Sequence, residues 1–160
     1  KHLEKKVLQA LHKNHPYEEV AYEITTLENA HQHIGMGMIG EFAEALPEDE
    51  FLNKLKNTFH TGVIRHSERI GKSIQKVAVL GGSGSFAISA AKAQGADAFV
   101  TADLKYHDFF AAEKELLLAD IGHYESEQYT KELLVAHLTK KITNFAVVLS
   151  KVNTNPISYY

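Results

Sequence analysis

The sequence predicts an α/β fold: a layered, mainly parallel sheet with flanking helices. Three observations carry this. Unbroken apolar runs recur at Lys76-Val77-Ala78-Val79-Leu80, Ala98-Phe99-Val100-Thr101 and Leu116-Leu117-Leu118-Ala119-Asp120-Ile121. Such runs suit strands buried on both faces. Stretches of helical length separate them, so strand and helix alternate through the second half of the chain. A glycine-rich turn from Gly81 and the polar residues Asp103 and His123 then follow the runs, where open α/β sheets place their ligands.

Each element follows in order. Residues 1–13 set Leu3, Val7, Leu8 and Leu11 among charges, a short amphipathic helix. Asn14-His15-Pro16 ends it, because the residue before proline avoids helical geometry. Val20-Ala21-Tyr22-Glu23-Ile24 alternates like a strand. Gly35-Met36-Gly37-Met38-Ile39-Gly40 reads as a glycine-rich extended segment. Pro47-Glu48-Asp49-Glu50 opens a helix to about Phe59, with acidic residues at the positive end of its dipole. Val63-Ile64-Arg65 is a short strand. After the strand at 76–80, Gly81-Gly82-Ser83-Gly84-Ser85 turns into a helix over Phe86–Gln94, closed by Gly95. The strand at 98–101 leads through Asp103 into a helix ending near Lys114. The strand at 116–121 leads into a helix from about Ser126 to Lys140, and Phe145-Ala146-Val147-Val148-Leu149 is expected as a closing strand. A boundary is placed near residues 42–46, giving units of 1–44 and 45–160.

Composition narrows the function classes. The chain has 160 residues, 44% hydrophobic and 23% charged, as in one globular domain or a domain with a fragment of another. No apolar run approaches the ~20 residues of a membrane span, so no membrane partner is expected. A formal charge of -3 gives no bulk support for a nucleic-acid partner. The absence of cysteine excludes disulfides and thiolate ligands, and a cytoplasmic location is expected. Any metal must then be held by His, Asp and Glu, the ligand set of zinc, manganese, iron or nickel. The chain opens helix-like, without Met or an apolar leader, and reads as a segment of a longer polypeptide.

Three clusters carry candidate chemistry. In Gly122-His123-Tyr124-Glu125-Ser126-Glu127 an imidazole and a carboxylate stand four residues apart, on one helix face, where both can hold one divalent cation. His123 and Glu127 are the expected metal ligands. Two ligands are too few for a site, so the segment alone should bind metal weakly. In Thr101-Ala102-Asp103-Leu104-Lys105-Tyr106-His107-Asp108, Asp103 could order a bound water or substrate and His107 could act as general acid or base. The plainer reading is an N-cap aspartate and a surface histidine. Gly82-Ser83-Gly84-Ser85-Phe86-Ala87 fits the dinucleotide fingerprint, with Asp103 about twenty residues on. Gly82, Ser83 and Gly84 are thus candidate cofactor-binding residues, and a Rossmann-type oxidoreductase is a competing reading. A tight turn that needs glycine explains the same residues. His15-Pro16-Tyr17-Glu18-Glu19 favours packing over metal binding. His31, His33, His60 and His66 read as ordinary surface residues, although His66 could face the sheet rim.

Taken in order, the Gly81–Ser85 turn, the Thr101–Asp108 block, the Gly122–Glu127 block and Asn153-Thr154-Asn155-Pro156 resemble the C-terminal half of the Ngg-interacting-factor-three-like family. Its members are commonly labelled GTP cyclohydrolase I type 2 homologues. His15–Val20 with Gly35–Gly40 resembles the end of the family's inserted domain, which is similar to the ferredoxin-like fold of CutA and PII proteins. The resemblance implies a homohexamer of the intact protein, with a dinuclear divalent-metal centre facing an internal cavity. It implies His123 and Glu127 as two of the ligands, the others lying in an N-terminal lobe whose His-His pair does not occur here. It further implies metal-activated water attacking a purine ring carbon of a nucleotide or other anionic small molecule. Ala102 stands where the family has glycine, a minor change if the position does not need positive φ. A non-catalytic scaffold with a stabilising metal remains a third reading.

Overall fold

The structure is a computed structural model that describes residues 3–25 and 35–159. The chain divides into two compact units, Lys1–Ile34 and Gly35–Tyr160. In the first, helix α1 spans Glu4–Asn14 and ends where His15 turns extended, its N–H donating to the Leu11 carbonyl. Pro16 imposes that exit. The strand expected at 20–24 is not formed. Its alternating residues find no partner ladder among the described residues, and an unpaired strand has nothing to satisfy its backbone. His31 and His33 lie outside the described residues.

The second unit is built on a five-stranded sheet. Its elements are β1 (Met38–Leu46), α2 (Glu48–Phe59), β2 (Arg65–His66), β3 (Ile74–Ser83), a 3-10 turn (Ser85–Ala87), α3 (Ile88–Ala93), β4 (Ala98–Ala102), a 3-10 helix (Tyr106–Ala112), β5 (Leu117–Asp120), α4 (His123–Glu127) and α5 (Thr130–Lys141). The strand order is β1-β3-β4-β5-β2. β3, β4 and β5 run parallel, and both edge strands are antiparallel to their neighbours. The parallel expectation therefore holds for the centre of the sheet. β1 runs across the boundary expected at 42–46, and its ladder from Met38↔Val79 to Leu46↔Ile74 ties these residues to the larger unit.

Two cores sit on the two faces of the sheet, and the period-two geometry of strands decides which residue goes where. In β4, Phe99 joins Leu80, Ile88, Ala91 and Leu118 on one face, while Ala98 and Val100 join Phe51, Leu55 and Ile74 on the other. In β5, Leu117 and Ala119 face the second core. Burial on both faces accounts for the apolar runs of β4 and β5, whereas β3 alternates and leaves Val79 exposed, a correction to the fully buried strand expected there.

Three expectations are corrected. Residues 145–149 form no strand and pair with neither edge of the sheet. The helix expected from Ser126 to Lys140 is two helices, broken at Gln128-Tyr129. The segment after Asp103 is a 3-10 helix over Tyr106–Ala112, closed by Glu113 and Lys114 at positive φ.

Candidate functional site

The C-terminal ends of β3, β4 and β5 converge, and each delivers one part of a polar cluster. β3 ends in Ser83, β4 leads into Asp103, and β5 leads through Gly122 into His123. Gly122 adopts φ +94, which turns the chain from strand into α4. A side chain there would run into the Glu125 carboxylate. Asp103 itself has φ +56, a left-handed conformation that Asp tolerates better than most residues. Ala102 ends β4 in ordinary geometry, so the replacement of glycine there costs no backbone strain.

Asp103 Oδ2 accepts from Ser83 Oγ at 2.5 Å and lies 2.6 Å from His123 Nδ1. His123 Nε2 lies 3.2 Å from Glu127 Oε2, across one helical turn. The three side chains are about half exposed, at 47%, 46% and 52%. The Ser83 hydroxyl, then His123, hold the Asp103 carboxyl below the usual carboxylate range. The Asp103 hydrogen bond, reinforced by Glu127, holds the His123 imidazole above its ordinary value.

The glycine turn is packed against α4. Gly82 has φ +68, and a Cβ there would stand 2.6 Å from Glu127 Oε1. Its N–H donates to Ser126 Oγ at 2.9 Å, and its carbonyl accepts from the buried Thr101 hydroxyl at 3.0 Å. Ser126 Oγ in turn donates to the His123 carbonyl at 2.8 Å. A Cβ on Gly84 would lie 2.1 Å from Thr101 Oγ1. Gly82 and Gly84 are thus claimed by internal packing, and Ser83 by Asp103.

A third pairing lies alongside. Asp120, at the end of β5, is buried and takes the Arg65 guanidinium, with N–H donors from Leu104 at 3.0 Å and Gly122 at 3.1 Å. Arg65, Asp103, Asp120, His123 and Tyr159 line one cavity of about 410 Å³. A second, of about 580 Å³, lies along His123, Glu127 and the segment Thr154–Ile157.

The structure therefore brings Asp103, His123, Glu127 and Ser83 together. His107 is not brought in: it is exposed, with its ring packed against Tyr106 and Phe110. Among the described residues no group of three or more His, Asp or Glu side chains is arranged to hold a metal ion. His15 meets Tyr17 edge to face within its own turn, His60 pairs with the Tyr129 hydroxyl, and His66 bonds the Ser67 carbonyl. Ser126 reads from its block as a spacer, a supporting group or a cap, and its hydroxyl accepts from the Gly82 N–H; Arg65 and Asp120 were not legible as site residues in the sequence. The sole hint was position, at the end of one apolar run and inside another.

Comparison with known proteins agrees with this arrangement of blocks. The family model described as Duf34/NIF3 (NGG1p interacting factor 3) matches residues 2–156. A Bacillus subtilis (strain 168) protein called GTP cyclohydrolase 1 type 2 homolog is 35% identical over 99% of this chain and 44% of its own length. Among solved structures, a Bacillus cereus protein related to NIF3 is 32% identical, with a TM-score of 0.73 over 99% of this chain and 45% of that one. A Staphylococcus aureus protein has 28% identity and a TM-score of 0.75, over 99% and 53%. The chain spans 42% to 44% of the length of such curated relatives. No helix among the described residues is long and apolar enough to cross a membrane. A match running nearly end to end, on a sheet whose strand ends carry the expected blocks, makes this chain a member of the Duf34/NIF3 family.

Proposed function

We propose that the chain supplies part of a divalent-cation site in a hydrolase-like protein acting on a nucleotide-like substrate, with His123 and Glu127 as ligands. The observation that carries the reading is the two-sided engagement of His123. An ionised Asp103 can only accept, so its 2.6 Å contact fixes a proton on Nδ1 and leaves Nε2 to face Glu127. A carboxylate behind a histidine is the usual support of a metal-binding imidazole. The spacing suits a shared cation: donors roughly 2.0–2.2 Å from it stand about as far apart as the 3.2 Å between Nε2 and Glu127 Oε2. The donor set, one imidazole and one carboxylate, suits zinc, iron, manganese or nickel.

Two ligands do not complete a shell. The remainder, and the hexameric assembly that the resemblance implies, would come from the polypeptide present in the longer relatives. When bound, the cation would acidify a water and polarise a substrate oxygen. The chain's own residues orient and shield. Asp103 fixes the His123 tautomer, Ser83 fixes Asp103, and the Gly82 turn sets the distance of Glu127. Titration of the chain with zinc and with manganese tests the reading. Weak uptake that disappears in both His123→Ala and Glu127→Gln supports it, and uptake indifferent to both substitutions rejects it.

A further inference from the structure

We propose that Arg65 anchors an anionic group of the substrate, a phosphoryl or carboxylate oxyanion, in the 410 Å³ cavity beside the candidate cation ligands. The inference deepens the proposed function and rests on it for the identity of the bound group as substrate. It starts from β2, a two-residue edge strand whose register sets Arg65 opposite Asp120. The guanidinium reaches back over the sheet end, and Nη2 donates both to the Leu104 carbonyl at 2.6 Å and to Asp120. The Phe109 ring lies under it, 5.5 Å from centroid to Cζ. These contacts fix the guanidinium before any ligand arrives.

Structural duty leaves much of this group unused. A guanidinium carries five N–H donors, and two are taken. Among the described residues Nε and Nη1 make no hydrogen bond. The side chain stays 55% exposed and lines the cavity together with Asp103, His123 and Tyr159. Nε–H and the Nη1 N–H groups point to different sides of the guanidinium, so each is free to donate to a single oxygen of an anion.

The carboxylates of the cavity already have donors: Asp120 takes Arg65 and two backbone N–H groups, and Asp103 takes Ser83 and His123. The Tyr159 hydroxyl adds a donor to the wall, and burial, then Glu125, raises its pKa and keeps it a phenol. A divalent cation on His123 and Glu127 would add positive charge at the other end. An oxyanion would accept from a free Arg65 N–H at one end and meet that cation at the other.

The test titrates inorganic phosphate, and separately acetate, into the zinc-loaded and the EDTA-treated chain by calorimetry. Arg65→Lys keeps a charge for Asp120 but loses the free Nε and Nη1 donors, and should weaken anion binding about tenfold with zinc affinity unchanged. Tyr159→Phe removes one hydroxyl and should weaken it several-fold, which keeps the test open if the lysine variant folds poorly. Tighter phosphate than acetate assigns a phosphoryl group, and the reverse a carboxylate; either supports the site. Anion binding equal in the parent and both variants, or absent from the parent, overturns it. Arg65-dependent phosphate binding without zinc uptake would sink the metal reading alone, whereas zinc uptake without anion binding would sink this one alone.

Discussion

His123 Nδ1 lies 2.6 Å from Asp103 Oδ2, joining residues twenty apart across the ends of β4 and β5. Ser83, from the end of β3, donates to the same carboxylate oxygen. Three parallel strands therefore meet at one atom. That atom decides which nitrogen of His123 is left for Glu127 or for a cation.

Replacing Asp103 by asparagine isolates this support. Asparagine accepts the φ of +56 that Asp103 adopts, so the backbone should hold while the charge behind His123 is lost. Zinc affinity should fall about 10–100-fold with little change in melting temperature. Paired calorimetric and thermal-melt measurements check both halves.

The pH dependence of the metal-free chain follows from the two shifts. The raised His123 pKa means that protonation stabilises the fold. That contribution is complete below the ordinary value of about 6.5 and is lost as pH rises through the raised one. The lowered Asp103 pKa gives a contribution present above about 3.9 and lost as pH falls through the lowered one. The difference in melting temperature between parent and His123→Ala should therefore shrink on the alkaline side of about 6.5. Zinc affinity should rise over the same window, because the cation and the proton compete for Nε2. Melts and zinc titrations from mildly acid to alkaline pH measure both trends, and a difference that grows with pH would contradict the assignment.

The two glycines separate site geometry from fold stability. Gly82→Ala puts a Cβ 2.6 Å from Glu127 Oε1 at a positive φ, costing about 1–2 kcal/mol in backbone strain and displacing the Glu127 carboxylate. Zinc binding should weaken with it. Gly84→Ala drives a Cβ to 2.1 Å from the buried Thr101 hydroxyl and should cost about 1–3 kcal/mol, with a smaller effect on zinc. Urea denaturation beside zinc titration ranks the two variants.

Fluorescence titration with NADH addresses the dinucleotide reading. No binding is expected, because the Gly82 N–H is already given to Ser126 and the turn is filled by Glu127 and Thr101. Saturable NADH binding that Gly84→Ala abolishes would restore that reading.

Much of the site was legible because its clues are local. His123 and Glu127 face each other through helical spacing, and Gly82 and Gly122 mark positive φ at strand ends. His107 was expected beside Asp103 on the same helical logic, but that segment coils as a 3-10 helix and its ring packs on Tyr106 and Phe110. Arg65 and Asp120 gave no sign of each other, since their pairing exists only through the β2–β5 register.

The residues alone determined the layered class, the apolar strands expected at 76–80, 98–101 and 116–121, and the helical pair of candidate ligands. These depend on periods of two and 3.6, which any short window displays. Only the tertiary structure decided that Asp103 meets His123, that Arg65 crosses to Asp120, and that the apolar run at 145–149 stays outside the sheet. Those outcomes rest on strand order and register, relations between distant segments that no local period encodes.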